Sequence, residues 1–274
     1  MTSGPVAVQA VPRGKLAHRV GRRAADWVPA LVVLALVLVI WQESIAVFHI
    51  KRFLAPQPTA IARTFWSDRH ELLSAGWFTF QEAVGGFGIG CGLALLFALV
   101  LARWRRLGSA LLPYAIAGSA IPIIAFAPIM NAWFTPFSKG SKMAIAGVLC
   151  FFPVLVNTLR GLTSVRPASI ELMQSYAAGE IETFRRVRIP TALPFIFTSL
   201  KVASVLAMIG AIVGEYFGGS FNALGVLINS RSTTFQFKEA WAGIGVACGF
   251  GIAFYLAVAL MEWLTLRWVP STPE

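Results

Sequence analysis

The sequence predicts an all-α protein that crosses a lipid bilayer six times, and three observations predict it. Of 274 residues 57% are hydrophobic and only 13% are charged, a composition unsuited to a water-soluble globule. The charges gather in short stretches between apolar runs, most of them long enough to cross a hydrocarbon core about 30 Å thick at about 1.5 Å rise per residue. One segment, residues 166–194, is dense in both charges and helix formers yet sits between two very apolar runs.

In chain order, residues 1–26 form a first part rich in Pro, Gly, Ala and basic residues (Arg13, Lys15, Arg19, Arg22, Arg23), expected as a mobile tail. Residues 27–74 follow as a first span, 28–48, and an external amphipathic helix carrying TAIARTFWSDRHELL. The first apolar run is long and no small-x-small cleavage signal follows it, so it reads as an uncleaved span rather than a signal peptide. Residues 75–270 hold the rest. Span two, 76–102, carries Gly86/Gly90 and Gly88/Gly92, small residues four apart that let helix backbones approach closely. Arg103, Arg105 and Arg106 end it. Residues 107–138 lack charge and contain Pro113, Pro122, Pro128 and Pro136. A straight helix there would run to about 48 Å, too long for the bilayer core. The expectation is one kinked span, 109–131, then re-entrant chain that lines a pathway, because broken backbone at membrane depth needs protein or water around it. Span four covers 142–159, span five 191–217, a short helix 224–230, and span six 240–264.

Within residues 166–194, Ile170, Met173, Tyr176 and Ala177 recur at helical spacing, as do Ile181, Phe184 and Val187. Pro167 suits a helix start and Glu171 an early turn. The expectation is two short amphipathic helices bent at Gly179, closed by Arg185, Arg186 and Arg188, with Pro190 preventing continuation. Such a segment offers a partner one apolar side.

The same segment resembles the cytoplasmic loop of binding-protein-dependent ABC importer permeases, whose frame is Glu-Ala-Ala, three residues, Gly, nine residues, Ile-x-Leu-Pro. Glu171, Val187, Ile189 and Pro190 fall on it. Leu172 and Met173 replace the alanines, and the frame's glycine falls on Ala177, with Gly179 two residues late. TFRRVRIPTALPFIFTSLKVA resembles the nitrate, sulfonate, taurine and thiamine-precursor permeases in particular. The resemblance implies a type I ABC importer permease fold in a bacterial inner membrane. It implies a second copy of the chain, two ABC ATPase subunits that carry ATP and Mg, and an extracytoplasmic substrate-binding protein. It makes Glu171, Leu172, Met173, Tyr176, Ala177, Gly179, Arg185, Arg186 and Pro190 the ATPase-coupling residues. The flavour of LCFFPVLVNTLRGL and IGAIVGEYFGG is similar to pyrimidine, thiamine-precursor and riboflavin permeases, with sulfonates, taurine and nitrate as rivals.

Fourteen Lys and Arg fall on one side of the predicted topology against eight on the other, which places both termini and the central loop in the cytoplasm. The net charge of +11 follows from that distribution, not from a nucleic-acid face. There is no Gly-rich phosphate loop ending in Lys-Ser/Thr and no His-Glu-x-x-His pair, so neither ATP binding nor metal-assisted catalysis is expected of this chain. Four polar residues inside or at the ends of spans are candidates for the pathway: Glu82, Asn131, Lys201 and Glu215. An ion-coupled secondary transporter is the alternative, and it would be expected to show inverted repeats and paired intramembrane charges.

Overall fold

The structure, a computed structural model, describes residues 15–48, 51 and 55–266, and every regular element among them is helical. The first fourteen residues of the expected tail, His49 and Trp268 lie outside the described residues. The chain divides into two units, Met1–Ala60 and Ile61–Glu274, each described by itself.

The first unit is built on α1 (Lys15–Val47). The apolar span extends back through residues 15–27, which composition marks as tail. KLAHRVGRRAADW holds Lys, Leu, Ala and Arg, strong helix formers onto which an existing helix propagates at little cost. Leu31, Val33 and Val39 are each more than half exposed, as on a helix whose surroundings are apolar.

The second unit carries five spans if a bent pair counts as one. α2 (Pro58–Arg103) joins the amphipathic segment and span two, expected as separate helices, into one 46-residue helix kinked at Asp68, whose φ of −104° and ψ of 15° are non-helical. The Asp68 carboxylate accepts from the neighbouring Ser67 hydroxyl, a local bond that competes with the helix ladder. α3 (Arg105–Gly118) and α4 (Ile123–Phe134) replace the single kinked span and meet at 94°. Pro122 stands at the N-cap of α4, where a residue lacking N–H and constraining its predecessor breaks the run. α5 (Lys139–Thr163) starts at Ser138, whose hydroxyl accepts from Gly140 N at 3.0 Å. Beyond it come α6 (Pro167–Ser175), α7 (Glu180–Thr183), a π-helical turn (Phe184–Arg188), α8 (Ile189–Tyr216), α9 (Leu224–Thr233) and α10 (Phe237–Thr265). With α1, there are among the described residues five helices long and apolar enough to cross a bilayer, and the α3–α4 pair as a broken sixth.

α5 is the middle of the second unit. The core around it is small: Ala83, Ala94, Ala98, Ala203, Ala207 and Ala211 of α2 and α8, with its own Ala146 and Cys150, are all within a few per cent of full burial. Lipid supplies no hydrophobic drive between helices, so close van der Waals contact has to hold them. A side chain on Gly90 would collide with the Gly147 backbone, and one on Gly86 would meet Ala146 and the Met143 carbonyl. On the other side Gly210 abuts the Ala146 backbone. Of the two predicted small-residue stripes, Gly86/Gly90 packs on α5, while Gly88/Gly92 has nothing within 4 Å. Cys91 and Cys150 are buried, whereas Cys248 is exposed on α10.

Gly90→Leu is expected to destabilise the purified protein by about 1–3 kcal/mol or more through overpacking. Gly92→Leu should leave it unchanged, as read by thermal unfolding in detergent.

Candidate functional site: a projecting loop and a buried polar cluster

The loop begins with Pro167 in the first turn of α6, where its missing N–H goes unneeded. α6 ends in a closed motif: Ala178 N–H donates to Met173 O at 3.0 Å and Ala177 N–H to Gln174 O at 2.9 Å. These are the two bonds of a Schellman ending, and Ala177 occupies its left-handed position with φ of 53°. The bend therefore falls on Ala177, not on Gly179 as expected. Gly179 has φ of −67° and caps α7 in extended backbone. The glycine of the family frame and the left-handed residue of the structure are the same position.

Leu172, Tyr176 and Ile181 project from this loop at 57%, 76% and 78% exposure. Thr183, Phe184 and Ile189 turn inward, the last two against the main core cluster. Arg103 at the end of α2 reaches Glu180 at 2.8 Å, and Arg186 pairs with Glu182 at 3.1 Å. Both pairs are well exposed and contribute no more than about 1 kcal/mol each. Glu171 and Arg188 line one cleft with Leu162, Val165, Ile170 and Gln174. Arg185 is exposed and lines a second cleft with Gly179, Ile181 and Glu182. Met173 is half-buried. Pro190 does not stop the helix: it lies in the first turn of α8, directly after the π-helical turn, and helix runs from Glu180 to Tyr216 without interruption. The wider π turn removes the tight i→i−4 geometry that a proline ring would otherwise obstruct.

Near the far end of α8 a second group of polar side chains is enclosed. Thr79 and Glu82 from α2, Asn131 from α4, Ser141 and Lys142 from α5 and Glu215 from α8 are each at most 4% exposed. Thr79 Oγ1 donates to Glu215 Oε1 at 2.6 Å and accepts from Leu224 N at 2.9 Å. Glu215 Oε2 accepts from Gly225 N at 2.7 Å. Asn131 Nδ2 donates to Gly214 O at 3.4 Å, while its Oδ1 accepts from the Ser141 hydroxyl and from Lys142 Nζ. Lys142 Nζ also donates to the Pro136 carbonyl. Glu82 lies against Glu215, and its Oε2 has no hydrogen-bond partner among the described residues. Gly218, at φ of 148°, sits so close to Pro136 that a Cβ would touch the proline ring, which brings the turns after α4 and after α8 together.

Three of the four pathway candidates, Glu82, Asn131 and Glu215, therefore meet in one cluster. Lys201 stands apart, about 21 Å down α8, where its Nζ pairs with Glu262 of α10 at 2.6 Å. Sequence reasoning missed Thr79, Ser141 and Lys142. Lys142 opened its expected span and counted among the charges of the outer side, whereas Ser138 as N-cap places it a turn inside α5.

A family model described as the binding-protein-dependent transport system inner membrane component matches residues 90–270. The chain is 32% identical to the riboflavin transport system permease of Chloroflexus aurantiacus, covering 96% of this chain and 99% of that one. It is 33% identical to the formylaminopyrimidine transport permease of Halalkalibacterium halodurans, over 88% and 95% of the two chains. A solved amino acid ABC transporter with histidines superposes with a TM-score of 0.58 at 17% identity, over 72% of this chain and 95% of that one, and shares the fold.

Ala177→Gly is expected to stabilise the loop by about 1 kcal/mol, since the left-handed conformation costs an L-residue about that much. Slower hydrogen exchange at the amides of residues 177 and 178 in the glycine variant would register the gain.

Proposed function

Because the chain belongs to the binding-protein-dependent transport system inner membrane component family, we propose that its exposed loop is where an ABC ATPase subunit seats. The chain itself is a multi-pass permease subunit of an ABC importer, a transport component and not an enzyme. In this reading two copies form the pathway, two ATPase subunits carry ATP and Mg beneath them, and a binding protein delivers solute from outside. Both termini and the loop lie in the cytoplasm, as the Lys and Arg distribution supports. The solute is a flat heteroaromatic of the riboflavin or pyrimidine class, a reading supported by the two relatives at 32% and 33% identity.

The observation that carries the docking surface is the outward triad Leu172, Tyr176 and Ile181, beside Glu171, on a loop whose other face is anchored to the core. A short helix with apolar anchors fits a groove on a partner, and flanking charges set its register. Met173, Ala177, Gly179, Arg185, Arg186 and Pro190 shape and flank that contact. Closure of the ATPases displaces the loop, and the uninterrupted helix from Glu180 to Tyr216 carries the displacement into the membrane. α5 moves with α8 because the two pack through small residues. Glu82, Asn131 and Glu215 belong to the wall that closes the pathway on the outer side, and Lys201 with Glu262 to its inner half.

Ile181→Asp and Leu172→Asp, each removing an apolar contact worth about 1.5–3 kcal/mol, should lower the ATPase recovered with the purified permease about ten- to hundredfold. Glu171→Lys should do the same. Membrane insertion should remain normal in all three. Full ATPase recovery with all three variants would contradict the docking surface.

A further inference from the structure

α9 is a ten-residue helix with no N-terminal side-chain cap of its own: its N-cap is Ala223, fully buried. The first N–H groups of any helix need acceptors, and lipid offers none. Here they come from two other helices. Leu224 N–H is taken by Thr79 of α2 and Gly225 N–H by Glu215 of α8. A carboxylate also complements the positive end of the helix dipole. Gly225 has to be glycine for this contact, since a Cβ would press on Glu215 Oε2 at 2.6 Å. Gly219 is similarly packed against the Glu215 backbone and the Val226 side chain. Glu215 stands one residue before the end of α8, the helix whose other end runs into the loop.

We propose that Glu215 is the positioning residue that fastens α9 to the end of α8, so that movement of α8 driven from the loop displaces α9 as part of the same rigid body. Thr79 is its auxiliary, holding the neighbouring amide and the other carboxylate oxygen in one bond chain. The inference rests on the importer reading above. It assigns that reading a specific junction at the far side of the membrane, where α9 and the turn after α4 meet around the cluster. Without the carboxylate, α9 keeps its apolar packing on α10 through Leu224, Ile228, Ala240 and Val246, so it stays folded but loses its polar tie to α8.

The test uses the full permease–ATPase complex in nanodiscs, in a background without Cys91, Cys150 and Cys248. Spin labels are placed at Asn229→Cys on α9 or at Val202→Cys on α8, and distances between the two copies are measured with and without Mg-ATP plus vanadate. In the otherwise wild-type complex both labels should shift on trapping. With Glu215→Gln, which keeps the shape but turns one acceptor into a donor, the Val202 shift should persist while the Asn229 shift falls to less than half. Thr79→Val should give an intermediate loss, and it carries the test if Glu215→Gln does not assemble. An undiminished Asn229 shift in both variants would overturn the proposal. So would a broad, disordered Asn229 distribution, which would make Glu215 a folding residue only. Absence of any shift at Val202 in the wild-type complex would instead sink the importer reading itself.

Discussion

A helix that begins inside a membrane protein has to find acceptors for its first amides within the protein, because hydrocarbon provides none. This constraint organises the far end of the second unit. α9 starts beneath the surface with an alanine at its N-cap, and its first two amides are taken by Thr79 and Glu215. The turn after α4 depends on the same neighbourhood, with Lys142 on the Pro136 carbonyl and Asn131 joining α4, α5 and α8. Removing one member of such a network strands its partner. Two connections that would otherwise be separate loops become one polar junction between four spans.

The other end of α8 follows an opposite logic. The loop is tied by exposed ion pairs worth little and by a Schellman ending strained at Ala177. Leu172, Tyr176 and Ile181 face outward, while Phe184 and Ile189 pack on the core. An element held lightly on one face and left apolar on the other suits a surface that engages and releases a partner. Between the two ends, α8 is continuous through the π-helical turn and packed on α5 through alanine and glycine, with Lys201 and Glu262 joining α8 to α10 midway. A tightly packed pair of this kind transmits displacement and does not absorb it.

Much of this was legible in the sequence. Hydropathy marks the spans because a bilayer demands long apolar runs, and the loop stands out because charge and helix propensity coincide there. The four-residue glycine spacing of span two announced a close helix contact, though not that Gly86/Gly90 and not Gly88/Gly92 would make it, since both stripes fit the pattern equally. The break between α3 and α4 was legible as prolines but not as a 94° turn, because an angle depends on what the two pieces pack against. Lys142 was misplaced for a different reason: near a span end, a charge that snorkels to water and a charge turned inward to a carbonyl have the same local sequence. Glu215 was visible as an intramembrane carboxylate. Its partners, 136 residues away at Thr79 and ten at Gly225, could only come from the fold.

The central claim is that the exposed apolar loop faces the cytoplasm and is covered by an ATPase subunit. Labelling Leu172→Cys with a membrane-impermeant maleimide, in a background without the native cysteines, tests it most directly. The account predicts labelling in inside-out vesicles only, and protection of that cysteine when the ATPase subunit is bound. Labelling from the outer side, or equal labelling with and without the bound subunit, would contradict it.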